Sequence, residues 1–203
     1  MSAHDFAFIT DSGLGSIVVL NLKTGSVRRL LERNPSTKAE AGVEPIIGGQ
    51  PWKFSSDNTT PQVHTDGIAI DPKHEYVYYK ALVGKTLYRV PIKSLINESL
   101  LEQELENLVE VVAITEPTDG LEFDAHGNLY MTSLEWNAIK VLKQNGVLEV
   151  FARSTDFLWP DTITISSDGH LIFTATQFHL MPAFNTEIDK RIPPYKIFRI
   201  KIQ

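Results

Sequence analysis

One short sequence motif that contains an aspartate occurs three times in this chain and limits what the chain can fold into. It reads TDGIAI from Thr65, TDGLEF from Thr118 and PDTITI from Pro160. In each copy the aspartate precedes a short apolar run, then a turn, then a second apolar run. Units repeated every ~40–50 residues indicate stacked modules, because a single unit of this size cannot bury its own apolar faces.

The repeated unit contains four predicted strands. The first follows the aspartate at 67–70, 120–123 and 162–165, and the second reads YVYYKAL, LYMTSL or LIFTATQ. The third reads TLYRVPI, AIKVLK or KIFRIKI, and a fourth is visible in two units as VEVVAI and VLEVFA. Four antiparallel strands in a unit of this length are typical of a β-propeller blade. The sequence therefore predicts an all-β chain.

The two ends of the chain fit the blade pattern only in part. FAFITDSG, SIVVLNL and SVRRLLE match a second, third and fourth strand, with no inner strand predicted before them. The chain also stops after a third strand. We predict a single, partial propeller domain over residues 1–203, with about four blades of which the first and last are incomplete.

Two segments interrupt the strand pattern. Residues 34–63 are rich in Pro, Gly, Ser and Asn, and an insertion of this length is either a functional loop or disordered. Residues 93–108 carry leucines at roughly helical spacing, which predicts a short helical insertion.

Composition excludes several classes of function. The net charge is −6, with lysines and arginines scattered, so we expect no nucleic-acid partner. No run of 18 apolar residues is present, so we expect no membrane span, and the first residues carry no secretory signal pattern. The absence of cysteine excludes disulfides and thiolate chemistry. Serine-hydrolase, zincin and P-loop motifs are also missing from the sequence.

The sequences of three segments resemble those of the major royal jelly protein/Yellow family, in particular its bacterial members. They are FAFITDSGLGSIVVLNLKTGSVRRLL, NPSTKAEAG and TDGIAIDPKHEYVYYKALVGKTLYRVP. The resemblance implies a six-bladed-type propeller, of which this chain holds about four blades. It also implies distant kinship with senescence marker protein/gluconolactonase propellers, some of which are calcium- or zinc-dependent lactonases. Full-length relatives are expected to be secreted or periplasmic; the sequence leaves the location of this chain open.

The repeated aspartates are the main candidate site. Residues just before inner strands lie at one mouth of a propeller channel, so Asp66, Asp119 and Asp161 are expected to converge there. When carboxylates lie close together, either one of them has a raised pKa and keeps its proton, or a cation binds among them. The candidate cations are Ca²⁺, Mg²⁺ and Zn²⁺. By resemblance Asp66 and Asp119 correspond to two gluconolactonase metal ligands, while the glutamate ligand would lie outside this chain. The alternative is that each aspartate only caps its own turn.

Loops that open on the same mouth supply candidate ligand-binding residues. These are His64, Lys80, Glu135, Trp136 and Gln177, although a packed or solvated role is also open for each. Trp136 offers a flat stacking surface, and Trp52 of the 34–63 insertion is placed to cover the mouth.

Three functional hypotheses follow. The first is a propeller that binds a small molecule at the channel mouth. The second is a metal-dependent, lactonase-like hydrolase in which Asp119 or a bound water handles the proton. The third is a truncated propeller without a complete active site, whose open blade faces favour self-association.

Overall fold

The computed structural model describes residues 1–202 and confirms the all-β propeller prediction. Strands form four sheets that follow one another along the chain, each an antiparallel meander. Three sheets have four strands and the last has three. We call these sheets blades 1 to 4 in chain order.

Blades 1 and 2 lie on either side of the long insertion. Blade 1 consists of β1 (Ser2–Ala3), β2 (Phe6–Asp11), β3 (Ser16–Asn21) and β4 (Val27–Leu30). The insertion carries a small hairpin, β5 (Ile46–Ile47) and β6 (Gln50–Pro51). Blade 2 consists of β7 (Thr65–Ile70), β8 (Tyr76–Ala81), β9 (Thr86–Pro91) and β10 (Glu110–Ile114).

Blades 3 and 4 complete the described chain. Blade 3 consists of β11 (Leu121–Phe123), β12 (Leu129–Ser133), β13 (Ala138–Leu142) and β14 (Leu148–Arg153). Blade 4 consists of β15 (Pro160–Ile165), β16 (His170–Ala175) and β17 (Lys196–Lys201).

The expectation that blade 1 lacks an inner strand was wrong. Ser2 and Ala3 pair with Ala7 and Phe6, which makes β1 a two-residue inner strand. The sequence pattern missed it because two residues are too few to show alternation. The absence of a fourth strand from blade 4 agrees with the prediction within residues 1–202.

The hydrophobic cores lie between successive blades. One joins Phe8 and Val19 of blade 1 to Val77 and Val90 of blade 2, and others join blade 2 to blade 3 and blade 3 to blade 4. Each strand buries alternate side chains, so each blade supplies one layer to each of its neighbours. Stacking of the blades, rather than any single sheet, therefore buries the apolar surface.

The inner strands pack so closely that they require glycine. A Cβ added to Gly67 would lie 2.6 Å from the carbonyl oxygen of Asp119, and one added to Gly120 would overlap the carbonyl oxygen of Asp161. The glycine after two of the three repeated aspartates thus lets neighbouring backbones approach near the axis.

The segments predicted as insertions have defined structure. In residues 34–63 the β5–β6 hairpin follows a 3₁₀ turn at Pro35–Thr37, and Ile47 and Trp52 are buried. Residues 93–108 contain two short helices, α1 (Ile92–Leu95) and α2 (Glu102–Glu106), instead of one continuous helix. Among the described residues, no helix is long and apolar enough to cross a membrane.

Candidate functional site

The three repeated aspartates occupy equivalent places in blades 2, 3 and 4. Asp66 and Asp161 are the second residues of β7 and β15, and Asp119 comes just before β11. The charge of Asp161 raises the pKa of both other carboxyls, and Asp66 contributes to the raised pKa of Asp119. The charges of these carboxyls therefore act on one another.

A threonine hydroxyl holds the backbone beside two of these aspartates. Thr132 Oγ1 accepts hydrogen bonds from the N–H groups of Asp119 and Gly120, both 3.0 Å long. In blade 4, Thr174 Oγ1 accepts from Thr162 N–H at 3.2 Å. The second strand thus holds the start of the inner strand in blades 3 and 4.

Burial changes the acid strength of two of the carboxyls. Removal from water and the charge of Asp161 raise the pKa of Asp66 to about 6. The pKa of Asp119 is raised well above its usual range, first by burial and then by the charges of Asp161 and Asp66. Burial and mutual repulsion therefore favour the protonated form of both Asp66 and Asp119.

Trp159 is the contact that sequence reasoning missed. Its indole Nε1 donates a 2.9 Å hydrogen bond to Oδ2 of Asp119, across the boundary between blades 3 and 4. Its backbone lies in the left-handed region, at φ 58°, a conformation that side chains of this size rarely adopt. Its position in the repeat could have drawn attention to it. Trp159 stands two residues before Asp161, as His64 stands two residues before Asp66.

Lys80 lies inside the protein instead of in an open pocket. Its side chain is fully buried, and its Nζ donates to Thr115 Oγ1 at 2.7 Å and to the backbone oxygen of Glu116. Burial lowers the pKa of Lys80 to about 7, against the opposing charges of Glu40, Glu116 and Glu135. In the strand register Lys80 takes the place that Thr132 and Thr174 hold in the next two blades. It ties blade 2 to the segment that leads into Asp119.

His64 and Glu135 both contact the long insertion. His64 Nδ1 accepts a 2.9 Å hydrogen bond from Ala39 N–H, and burial followed by the charge of Lys38 lowers the pKa of its imidazole. Glu135 Oε1 accepts from Ile46 N–H at 2.8 Å. The insertion is thus fastened to loops of blades 2 and 3.

The hydrogen bonds of Gln177 and the cation–π contacts of Trp136 are made with residues other than the three aspartates. Gln177 pairs its side-chain amide with the backbone of Ile192 and thereby anchors a loop. Trp136 is 46% exposed, and the cations of Lys140 and Arg153 each lie 5.1 Å from its ring. The structure brings together Asp66, Asp119 and Asp161, with Trp159 as the added member.

The residues present do not form a metal centre. Within residues 1–202, no three His, Asp or Glu side chains are grouped so that they would hold a metal ion. The glutamate ligand that the family resemblance implies has no counterpart in the aspartate group. The described residues therefore show no complete divalent-cation site.

The fold is that of a β-propeller with equivalent aspartates at the start of three inner strands. The family profile of the major royal jelly proteins matches residues 2–200. The chain belongs to the major royal jelly protein family. A comparison with curated protein sequences gave no significant match.

Comparison with solved structures supports the same fold. A nidogen/laminin complex is matched with a TM-score of 0.56 and 15% identity, over 84% of this chain and 52% of that chain. A streptogramin B lyase gives 0.53 and 13% identity, over 85% and 45% of the two chains. The gluconolactonase XC5397 of Xanthomonas campestris gives 0.49 and 19% identity, over 68% and 43%.

These similarities concern the fold alone. The chain spans 43–52% of the length of the three matched chains. The matches to the streptogramin B lyase and the nidogen/laminin complex, at 13% and 15% identity, show a shared fold, and one fold can carry unrelated activities.

Proposed function

We propose that the channel mouth binds a small molecule that carries a positive charge or several hydrogen-bond donors. One observation carries the proposal: Asp119, partly buried and hydrogen-bonded to Trp159, lies within electrostatic reach of Asp66 and Asp161. Three carboxyl groups with a common neighbourhood create a negative potential that a cationic ligand relieves. Partial burial strengthens that attraction relative to bulk water.

The roles of the site residues follow from their contacts. Asp66 and Asp161 are half-buried and supply negative charge toward the ligand. Asp119 is held by Trp159 and by the threonine contact to its backbone, so it binds with little loss of side-chain entropy.

A matched set of titrations tests the proposal. Small primary amines are compared with their alcohol counterparts by isothermal titration calorimetry at low and high salt. The amines are expected to bind more tightly than the alcohols. Asp161→Asn is expected to lower the ratio of amine affinity to alcohol affinity about tenfold. Asp168→Asn is the control, because Asp168 lies on the turn between β15 and β16, at the opposite end of blade 4. Equal binding of amines and alcohols would contradict the charge-based proposal.

The lactonase-like alternative ranks second. A divalent cation among the carboxylates would relieve the same repulsion, but the described residues do not group as a metal centre. Calorimetry with CaCl₂ and a lactone-hydrolysis assay on the same protein separate the two functions. Hydrolysis that depends on calcium and on Asp119 would reverse the ranking.

A further inference from the structure

A cavity lies between the insertion and a loop of blade 4. Its volume is about 240 Å³, and its walls come from residues 47–53 and 179–190. It is smaller than the ~300–1,000 Å³ that drug-sized ligands occupy. Any occupant is therefore a molecule of few atoms.

Two polar atoms at this cavity lack the partner that their burial requires. Trp52 is 3% exposed, and its Nε1 has no hydrogen-bond partner among the described residues. The same holds for Nδ1 of His179. Both residues line the cavity. Buried donors and acceptors are nearly always paired, so two unpaired atoms around one cavity indicate a missing partner.

The walls of the cavity suit a flat, apolar body. The rings of Trp52 and Phe184 lie 5.1 Å apart at their centroids. His179 stacks nearly parallel to Trp159, with centroids 6.0 Å apart and an interplanar angle of 14°. Such rings bind a planar apolar group through stacking and edge contacts.

The charge at the rim favours an anion. Lys53 and Lys190 line the cavity, and Lys53 is paired with Glu44 at 2.8 Å. Lys190 has no carboxylate within salt-bridge distance in the described part of the chain. His179 is neutral at physiological pH because burial lowers its pKa to about 4. The available positive charge is therefore the amine of Lys190.

We propose that this cavity binds a small aromatic carboxylate, with its ring against Trp52 and Phe184 and its carboxylate toward Lys190. The indole N–H of Trp52 donates to an acceptor atom of the ligand, and His179 supplies a second polar contact. None of the three aspartates lines this cavity. Trp159, which is bonded to Asp119, packs behind its walls against Trp52 and His179.

Binding of benzoate tests the proposal, with benzamide as the uncharged counterpart. Saturation-transfer NMR and calorimetry on the full chain are expected to give a dissociation constant near 1 mM or tighter for benzoate and weaker binding of benzamide. Trp52→Phe keeps the ring but removes the N–H, and Lys190→Met removes the rim charge. Each is expected to weaken benzoate binding about fivefold or more.

Two variants serve as controls. Trp136→Phe alters an exposed tryptophan outside the cavity and is expected to leave benzoate affinity unchanged. Asp168→Asn, on the turn between β15 and β16, removes a carboxylate that does not line the cavity and is also expected to have no effect. Lys190 lies at the rim, so its variant stays informative if Trp52→Phe fails to fold. Absence of benzoate binding, or unchanged affinity in Lys190→Met, would overturn the proposal.

Discussion

The indole N–H of Trp159 and the carboxyl of Asp119 join two blades through a single 2.9 Å hydrogen bond. This bond favours the ionised carboxyl, whereas burial and the neighbouring charges favour the protonated one. The balance between these opposing effects sets the charge of the channel mouth near neutral pH.

Changing either side of that balance is expected to move the pKa of Asp119 in a known direction. Trp159→Phe removes the hydrogen bond and raises the pKa further, whereas Asp161→Asn removes a negative charge and lowers the pKa values of Asp119 and Asp66. Carboxyl ¹³C NMR titration of the two variants measures both shifts. Shifts of the same sign in both variants would contradict this account.

The raised pKa of Asp66 predicts a pH-dependent stability. The folded-state pKa of about 6 exceeds the usual 3.8, so between these values the folded state binds more protons than the unfolded state. Stability is therefore gained as the pH falls from about 6 toward 4, by an amount on the order of 2 kcal/mol after allowance for partial exposure.

Asp66→Asn is expected to reduce this gain, leaving the part due to Asp119, and urea unfolding between pH ~4 and ~8 measures it. Asp156→Asn, at a largely exposed carboxylate, is the control and is expected to follow the wild-type protein. An Asp66→Asn profile as steep as that of the wild-type protein would rule out Asp66 as the source.

Lys80 predicts a second pH effect in a different range. Its folded-state pKa of about 7 lies below the usual 10.5, so in that window the unfolded state binds more protons and stability rises with pH. Lys80→Met keeps the apolar stem and is expected to remove the rise. Lys85→Met, at an exposed lysine, is expected to retain it. Denaturant unfolding at pH ~7 and ~9.5 distinguishes the two variants.

The threonine contact behind Asp119 predicts a stability loss. Thr132→Val leaves the N–H groups of Asp119 and Gly120 without their acceptor, at a cost of about 2–3 kcal/mol. Thr132→Ser keeps the hydroxyl and is expected to lose under half as much. Equal losses in the two variants would assign the effect to the methyl group instead.

We propose that the open side of blade 4 mediates self-association. β17 pairs with β16 on one edge only in the described chain, and Ile197 on β17 is 73% exposed. Unpaired strand edges with exposed apolar residues favour contact with a second copy. Ile197→Lys is expected to shift sedimentation toward the monomer, whereas Val111→Lys on the outer strand of blade 2 is not. A wild-type protein that sediments as a monomer at high concentration would refute the proposal.

The repeat along the chain predicted both the blades and the position of the aspartates. Alternating apolar residues and turns mark strands locally, and a phrase recurring before each inner strand places Asp66, Asp119 and Asp161 at one mouth. The two-residue inner strand of blade 1 was not predicted, because two residues are too few to show an alternating pattern. The helical insertion was found, but its division into α1 and α2 was not.

What the sequence determined by itself is the order of the strands, the family and the presence of three equivalent carboxyl groups. Only the tertiary structure decided that Trp159 bonds to Asp119, that Lys80 is buried, and that Trp52 packs against Trp159 with ring centroids 5.0 Å apart. These contacts join residues from different blades or from an insertion. Local propensity carries no information on which side chains meet when sheets stack, since that depends on the packing of whole blades around the axis.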